Sequence, residues 1–252
     1  MAKRPDYGLD SPAIVAGEAM LGILMLGAAA LLRLLRLPAL LWVMALAVGA
    51  YFLLNALGMI RYSRWGKLRL REDALRLVRW RGDERVLDVG CGHGLMLVGA
   101  ARHLTTGRAV GVDRWVRGAV SDNRPGAALR NATLEGVADR VEVKDGDARE
   151  LPFDGDTFDV VVSNFVVHEM DTSADRERML REIIRVLKPG GQLVLVDFIF
   201  TGTAARLLQS YGARDAHRVR VGSAYDWYSA LLLSFGLVRL YMVVGSKDAH
   251  QS

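Results

Sequence analysis

The nine residues from Val86 to Gly94, VLDVGCGHG, constrain the fold more than any other stretch of the chain. An aliphatic run with an acidic residue is followed at once by three closely spaced glycines, an order typical of a buried strand that turns sharply into a helix. Glycine permits positive φ angles and lets the backbone approach a ligand closely. Because the first amide groups of a helix have no partner within the helix, we expect the loop to cradle a nucleotide-like cofactor.

Predicted helices and strands alternate from residue 72, just before this loop, to residue 244. We place strands at 85–89, 108–113, 140–144, 158–163, 192–199, 213–221 and 237–244, and helices at 72–80, 94–104, 125–136, 174–187, 203–211 and 225–235. This alternation predicts an α/β fold with a doubly wound, mostly parallel seven-stranded sheet, which the last strand is expected to close. The ligand is expected at the carboxyl ends of the strands.

Two apolar runs, residues 14–32 and 38–60, precede this region and raise the hydrophobic content of the 252-residue chain to 51%. Each run is long enough for a helix that crosses a hydrocarbon core about 30 Å thick. The short link between them permits only an antiparallel hairpin. Their single polar interruptions, Glu18 and Asn55, are then at similar depth and are expected to hydrogen-bond, with the small Ala45 and Gly49 allowing close approach.

These features divide the chain into a cytoplasmic segment at 1–12, a transmembrane hairpin at 13–60, a basic juxtamembrane linker at 61–71 and a globular domain at 72–252. The excess of Lys and Arg at the two ends of the hairpin places the domain in the cytoplasm, at the cell membrane. A signal peptide is the alternative for the first run, because two basic residues precede it. Its length and the second run that follows favour the hairpin.

Charge and cysteine content exclude several classes of protein. The formal net charge is +5, and its densest basic cluster, at 61–71, favours contact with anionic lipid at about 1 kcal/mol per residue. Nucleic acid is not an expected partner, because acidic residues are interspersed with the arginines elsewhere. The single cysteine, Cys91, excludes an intrachain disulfide and a cysteine-rich metal site, and we expect no metal.

Glycine spacing separates the possible cofactors. Gly90, Gly92 and Gly94 form a G-x-G-x-G pattern, whereas the loop that binds a dinucleotide pyrophosphate requires G-x-G-x-x-G. A dinucleotide-dependent oxidoreductase is therefore the disfavoured alternative. A second acidic pair, Asp145 and Asp147, follows the third predicted strand.

The chain resembles the class I S-adenosylmethionine-dependent methyltransferases over residues 72–246, and is most similar to the quinone-biosynthesis and related small-molecule members. The resemblance rests on motifs that occur in the order the family has them: VLDVGCGHG, AVGVD at 109–113, ELPFDGDTFD at 150–159, DTFDVVVSNFVVHEM at 156–170 and LREIIRVLKPGGQLVLVDF at 180–198. It implies a Rossmann-like methyltransferase fold and S-adenosyl-L-methionine as the cofactor.

The resemblance also implies which residues bind the cofactor. Asp113 would take both ribose hydroxyls, Asp147 and Ala148 would lie beside the adenine, and Asp88 would contact the amino-acid end. The other implied contacts are Gly90, Cys91, Gly92, Gly94, Arg114 and Asn164.

Two neighbours of these residues have open roles. Either the stem of Arg114 or the indole of Trp115 is expected to pack against the adenine. His93, within the glycine loop, is expected to lie exposed at the rim.

His168 is the candidate catalytic residue, because histidine ordinarily titrates near neutral pH and can serve as a general base. In the competing interpretation it caps the following helix or pairs with Glu169. Methyl transfer from a sulfonium requires alignment of the reacting atoms and no metal. The sequence Asn164-Phe165-Val166-Val167 lacks the Asn-Pro-Pro-aromatic motif of enzymes that methylate DNA or glutamine, which argues against those two substrates.

Together these predictions describe a membrane-anchored methyltransferase that acts on a lipid or a membrane-associated small molecule. Two alternatives stay open: a soluble metabolite or protein side chain as the acceptor, or a non-catalytic scaffold that binds S-adenosylmethionine. The aromatic segment at 225–235, with Tyr225, Trp227 and Tyr228, is expected to lie against the hairpin or bilayer and to roof the acceptor pocket.

Overall fold

The computed structural model describes residues 4–116, 121, 123–221 and 240–249, and their centre is one seven-stranded sheet. The strands are β1 (Arg85–Val89), β2 (Arg108–Asp113), β3 (Val141–Asp145), β4 (Phe158–Asn164), β5 (Leu187–Asp197), β6 (His217–Arg220) and β7 (Tyr241–Ser246). Their order is β3-β2-β1-β4-β5-β7-β6. The first five in this order pair in parallel, and β7 pairs antiparallel with both neighbours. The predicted doubly wound, mostly parallel seven-stranded sheet is confirmed.

The last strand does not close the sheet, because β7 is inserted between β5 and β6. Met242 and Val243 of β7 are buried, as suits a strand with a partner on each side. The edge is formed by β6, whose His217, Arg218 and Arg220 are exposed. Charged side chains on an edge strand discourage pairing with other chains.

Two long helices, α1 (Pro12–Leu34) and α2 (Ala39–Arg61), form the hairpin predicted for the N-terminal region. The Asn55 amide donates a hydrogen bond to Glu18 Oε2 at 2.5 Å, which confirms the expected pairing. A Cβ atom on Gly22 would lie 2.7 Å from Leu53 Cγ and 3.1 Å from the Gly49 carbonyl oxygen. These glycines therefore allow the two helices to approach closely.

The outer faces of the hairpin are apolar and exposed. Met20, Ile23 and Leu40 are 62%, 64% and 68% exposed. Both helices are long and apolar enough to cross a membrane. The hairpin therefore has the length and the surface that a membrane-spanning pair requires.

The second helix continues into the domain. After Arg61, a π-helical turn at Tyr62–Gly66 leads directly into α3 (Lys67–Leu75). The sequence instead predicted a linker followed by a helix at 72–80. Leu70 and Leu75 of α3 are fully buried against the domain, so packing extends the helix through the basic stretch.

Two basic residues of this stretch do not face lipid. Lys67 and Arg71 are only 3% and 4% exposed, because both turn towards the segment that precedes α1. The basic side chains that remain exposed there are Arg61, Arg64 and Arg69. The predicted lipid-facing cluster is therefore smaller than the sequence indicates.

The remaining helices cover both faces of the sheet. With α3, helices α4 (Leu95–Ala101) and α5 (Pro125–Leu134) pack on one face, and α6 (Ser173–Val186) and α7 (Thr201–Ser210) pack on the other. The predicted helix at 225–235, with its aromatic residues, lies outside the described residues.

Candidate cofactor-binding and catalytic site

A cavity opens at the carboxyl ends of β1, β2 and β4, where the direction of the strand order changes. This is the position at which doubly wound sheets bind ligands. Eight of the ten residues predicted to contact the cofactor line it: Asp88, Gly90, Cys91, Gly92, Asp113, Arg114, Ala148 and Asn164. Gly94 and Asp147 do not.

The glycine loop requires its glycines for two physical reasons. Gly90, Gly92 and Gly94 have φ angles of 72°, 48° and 80°, in the left-handed region that side chains disfavour. A Cβ on Gly90 would also lie 2.3 Å from Val166 Cγ2, at the cavity wall. The loop therefore turns sharply from β1 into α4 and leaves its backbone open to a ligand.

Asp113, the last residue of β2, faces the loop across the cavity. It accepts hydrogen bonds from the Gly92 amide at 2.8 Å and from the Trp115 amide at 2.6 Å. A third, long hydrogen bond comes from Asn123 Nδ2 at 3.5 Å. A carboxylate has about four acceptor positions, so one is unused, and the long bond from Asn123 is the weakest of the other three. This carboxylate can therefore accept from a ribose hydroxyl at the unused position, and from a second hydroxyl if the Asn123 amide gives way.

Asp88 lies at the base of the cavity and is 1% exposed. It accepts one hydrogen bond, from the Leu97 amide at 2.8 Å, and so anchors the start of α4. Burial raises the pKa of Asp88 to about 8, despite the stabilising Leu97 amide, and repulsion from Asp113 adds to the shift. A cationic ligand group nearby would favour the ionised carboxylate.

Two amide oxygens in the cavity wall have no partner within the described part of the chain. They are Oδ1 of Asn164 and Oδ1 of Asn123, and both are buried. Buried polar atoms are rarely left without a hydrogen bond, so these oxygens point to a ligand that brings donors. S-adenosylmethionine carries an ammonium group, two ribose hydroxyls and an exocyclic amine. The two amide oxygens, the glycine loop and the carboxylates of Asp88 and Asp113 fit that molecule.

The part of the site predicted to bind the adenine has fewer residues free to contact a ligand. The Asp147 carboxylate binds Arg149 at 2.6 Å and Arg114 at 3.5 Å, and the hydrogen bonds from Arg149 lower its pKa. Its contact with an adenine amine stays a prediction, because its side chain is already engaged and does not line the cavity. Arg114, not Trp115, lines the wall; the Trp115 indole donates to Asp145 at 2.6 Å.

The other two residues of the loop are both buried. Cys91 is 5% exposed, and burial raises the pKa of its thiol well above the usual value, which excludes a reactive thiolate. His93 is 7% exposed, so the expectation of an exposed rim residue is wrong. The reason is long-range: its ring lies against the chain segment that precedes α1, with Nδ1 3.1 Å from the Asp6 carbonyl oxygen.

His168 forms a dyad with a residue that the sequence did not indicate. Its Nδ1 lies 3.1 Å from Oδ1 of Asp197, and its backbone amide donates to Oδ2 at the same distance. Asp197 ends β5 and is 1% exposed, whereas the His168 side chain is 23% exposed. The competing interpretation named Glu169 as the partner of His168, but the residue that hydrogen-bonds to its ring is Asp197. Glu169 lines the cavity, and burial raises its pKa.

The dyad lies beside the cavity wall, within a group of aromatic rings. The His168 ring packs 4.4 Å from the Phe198 ring and 6.2 Å from the ring of Phe165, which lines the cavity. Phe165 in turn lies 6.4 Å from Tyr62, one residue beyond the end of α2. Aromatic side chains therefore connect the end of the hairpin with the dyad.

The sequence missed several other residues of the cavity wall. Tyr7, Asp10, Tyr62 and Lys67 come from the two sides of the hairpin and line the cavity. Nothing local in the sequence marks them. For Asp197 a signal exists, since an aliphatic run ends in an acidic residue there as it does near Asp88 and Asp113. Among the described residues, no cluster of three or more His, Cys, Asp or Glu side chains is placed to hold a metal ion.

Comparisons with known proteins point to one family. A family model described as a methyltransferase domain matches residues 87–195. A protein of Encephalitozoon cuniculi, whose name gives methyltransferase and no substrate, is 31% identical over 185 residues, which cover 73% of each chain.

Other relatives have named substrates. The 27-O-demethylrifamycin SV methyltransferase of Amycolatopsis mediterranei is 35% identical over 67% of this chain and 59% of its own. The demethylmenaquinone methyltransferase of Lactiplantibacillus plantarum is 33% identical over 57% of this chain and 55% of its own. The chain thus spans about half the length of most curated relatives it matches.

A solved structure, a SAM-dependent methyltransferase from Aquifex aeolicus, superposes with a TM-score of 0.53 at 20% identity. The superposition covers 70% of this chain and 89% of the Aquifex aeolicus chain, and it supports the assignment of the Rossmann-like methyltransferase fold.

Proposed function

Because the chain belongs to the class I S-adenosylmethionine-dependent methyltransferases, we propose that it is an enzyme that methylates a small lipid-soluble acceptor at a membrane surface. The cofactor supplies a methyl group on a sulfonium, which a nucleophile displaces in line. The protein contributes alignment of the two molecules and exclusion of water, which together lower the barrier by several kcal/mol. The cavity at the carboxyl ends of β1, β2 and β4 supports this role.

The proposed cofactor contacts follow from the chemistry of the cavity wall. Asp113 accepts from the ribose hydroxyls while the Gly92 amide holds its carboxylate in place. The ammonium group is received by the buried carboxylate of Asp88 and by Oδ1 of Asn164, which has no hydrogen-bond partner among the described residues. Arg114 and Ala148 flank the adenine.

The proposed base is His168. The carboxylate of Asp197 accepts a hydrogen bond from Nδ1 of His168. This bond fixes the tautomer in which Nε2 of His168 carries the lone pair. A buried carboxylate that orients an imidazole in this way also stabilises the imidazolium formed when Nε2 takes a proton. His168 would remove the proton from an acceptor hydroxyl, acidic carbon or ammonium as the methyl group is transferred.

One observation carries the membrane part of the proposal: Tyr62 lines the cofactor cavity and is the first residue after α2. If the hairpin spans the membrane, the cavity lies at the bilayer surface. The aromatic rings of Phe165 and Phe198 then lead from that surface to His168. An acceptor that partitions into the bilayer reaches the dyad along this path without crossing water.

The names of the relatives favour a ring-bearing acceptor. One relative acts on demethylmenaquinone, a lipid-soluble quinone, and another is described as a ubiquinone and menaquinone C-methyltransferase. We therefore propose a quinone-like or similarly apolar ring compound as the acceptor class. We place the hairpin in the cell membrane with both of its ends in the cytoplasm, as the distribution of Lys and Arg favours.

Methyl-labelled S-adenosylmethionine tests the proposal. The full chain in lipid nanodiscs is incubated with the labelled cofactor and with either a lipid extract or an aqueous metabolite extract. Label in an organic-phase product is the expected result. Label only in an aqueous product would assign a soluble acceptor, and cofactor binding without label in either extract would assign a scaffold.

A further inference from the structure

The residues that precede the hairpin are held against the methyltransferase domain, beside the glycine loop. Here Tyr7 is only 6% exposed. We call residues 5–10 the N-terminal strap, and three groups of contacts fix it to the domain.

The first group joins the strap to the glycine loop. The Asp6 amide donates to Asn131 Oδ1 at 2.9 Å, and Asn131 Nδ2 donates back to the Asp6 carbonyl at 2.8 Å. The same Nδ2 donates to the His93 carbonyl at 3.0 Å, and the His93 ring lies 3.1 Å from the Asp6 carbonyl. One asparagine on α5 thus holds the strap and the cofactor loop together.

The second group is centred on Lys67. Its ammonium group donates to the carbonyl oxygens of Tyr7 and Gly8, both at 2.6 Å, and lies 3.2 Å from the Asp10 carboxylate. Lys67 is 3% exposed, so its three donors are used by the strap. The strap therefore supplies every hydrogen-bond partner that the described residues give this ammonium group.

The third group surrounds the Tyr7 hydroxyl. It donates to Glu135 and accepts from Arg71 Nη1 at 3.2 Å. Arg71, which is buried, also pairs with Glu135 at 3.1 Å. Side chains from α3 and from the end of α5 therefore close over the tyrosine.

We propose that the two segments that flank the hairpin, the strap before α1 and residues 62–67 after α2, are built-in parts of the cofactor site. Tyr7 and Asp10 before α1, and Tyr62 and Lys67 after α2, complete the cavity wall. Asn131 is a positioning residue that holds the glycine loop in its ligand-binding shape by clamping it to the strap. The inference rests on the proposed function only in taking S-adenosylmethionine as the ligand.

The chain offers a matched pair of variants. Gln192, at the amino end of the sheet, bridges the backbone of Arg79 as Asn131 bridges Asp6: it accepts from the amide at 3.0 Å and donates to the carbonyl at 3.3 Å. Asn131→Ala and Gln192→Ala each remove one such bridge from the full chain in detergent, and Asn131→Ala also removes the hydrogen bond to the His93 carbonyl. We expect Asn131→Ala to weaken S-adenosylhomocysteine binding about tenfold and to raise the KM for S-adenosylmethionine more than it lowers kcat. Gln192→Ala is expected to leave both unchanged.

Amide hydrogen exchange of the unaltered protein is the second measurement. The inference requires that S-adenosylhomocysteine slows exchange at residues 5–10 as well as in the glycine loop. Unchanged exchange of the strap, or wild-type affinity of Asn131→Ala, would overturn the inference alone. If the unaltered protein fails to bind S-adenosylhomocysteine, both the proposed function and the inference fall.

Discussion

Among single residues, His168 and Asp197 carry the proton-transfer step of the proposed reaction. We expect His168→Ala to lower kcat about 100-fold or more, and Asp197→Asn to lower it strongly because the imidazole loses its orienting carboxylate. Neither change should alter the affinity for S-adenosylhomocysteine. Rates of label transfer and calorimetric binding measure the two quantities, with the exposed His217→Ala as the control. Unaltered turnover of His168→Ala would show that the dyad is only structural.

The raised pKa of Asp88 leads us to expect that cofactor binding depends on pH. Its pKa in the free protein is about 8, so the carboxyl is mostly protonated at neutral pH. The ligand ammonium favours the ionised form, and binding then releases a proton. Affinity should therefore rise between about pH 6 and pH 8, by up to tenfold per unit, and level off above. Calorimetry on the unaltered protein and on Asp88→Asn tests this; the variant should give a flat profile, and a flat profile for both would remove Asp88 from the ligand contacts.

The residues of the site differ in how far the sequence predicts them. The glycine loop and Asp88 belong to one continuous strand-turn-helix pattern, so their place in the cavity follows from local spacing. The partner of His168 lies 29 residues further on, and the pairing depends on β4 and β5 being neighbours. His93 is buried by a segment that lies 87 residues earlier in the chain, and no local sequence pattern predicts this contact.

At the scale of elements, the close packing of the two hairpin helices predicts how glycine substitutions change stability. A Cβ on Gly22 would lie 2.7 Å from Leu53 Cγ, whereas a Cβ on Gly17 has no atom within 4 Å. Gly22→Leu should therefore lower the free energy of unfolding by about 1 to 3 kcal/mol, and the matched Gly17→Leu should have little effect. Unfolding of the full chain in detergent measures both. Equal stability of the two variants would mean that the helices do not pack closely at Gly22.

Local periodicity predicts most elements of the domain, and tertiary packing decides the exceptions. The strands on both sides of the glycine loop are found where their aliphatic runs predict them. The helix α3 begins earlier than predicted because burial of Leu70 extends it towards α2. The interior position of β7 depends on which strand it pairs with, and its own sequence does not specify that choice.

For the whole molecule, the proposed topology makes a separate prediction. Exposed Arg61, Arg64 and Arg69 at the domain end of the hairpin favour the cytoplasmic side. Protease added to inside-out membrane vesicles should therefore digest the domain, and protease added to right-side-out vesicles should not. Protection in inside-out vesicles would place the domain on the opposite side.

The central claim is that the enzyme transfers a methyl group to a compound dissolved in the bilayer, from a cofactor cavity that faces the bilayer. Comparison of lipid extracts from cells with and without the gene, by mass spectrometry, tests this claim most directly. The account predicts an apolar compound that is lighter by one methylene group in the cells that lack the gene, with the change restored by the unaltered protein but not by His168→Ala. Lipid extracts that do not differ, together with a methylene difference in the aqueous metabolites, would contradict it.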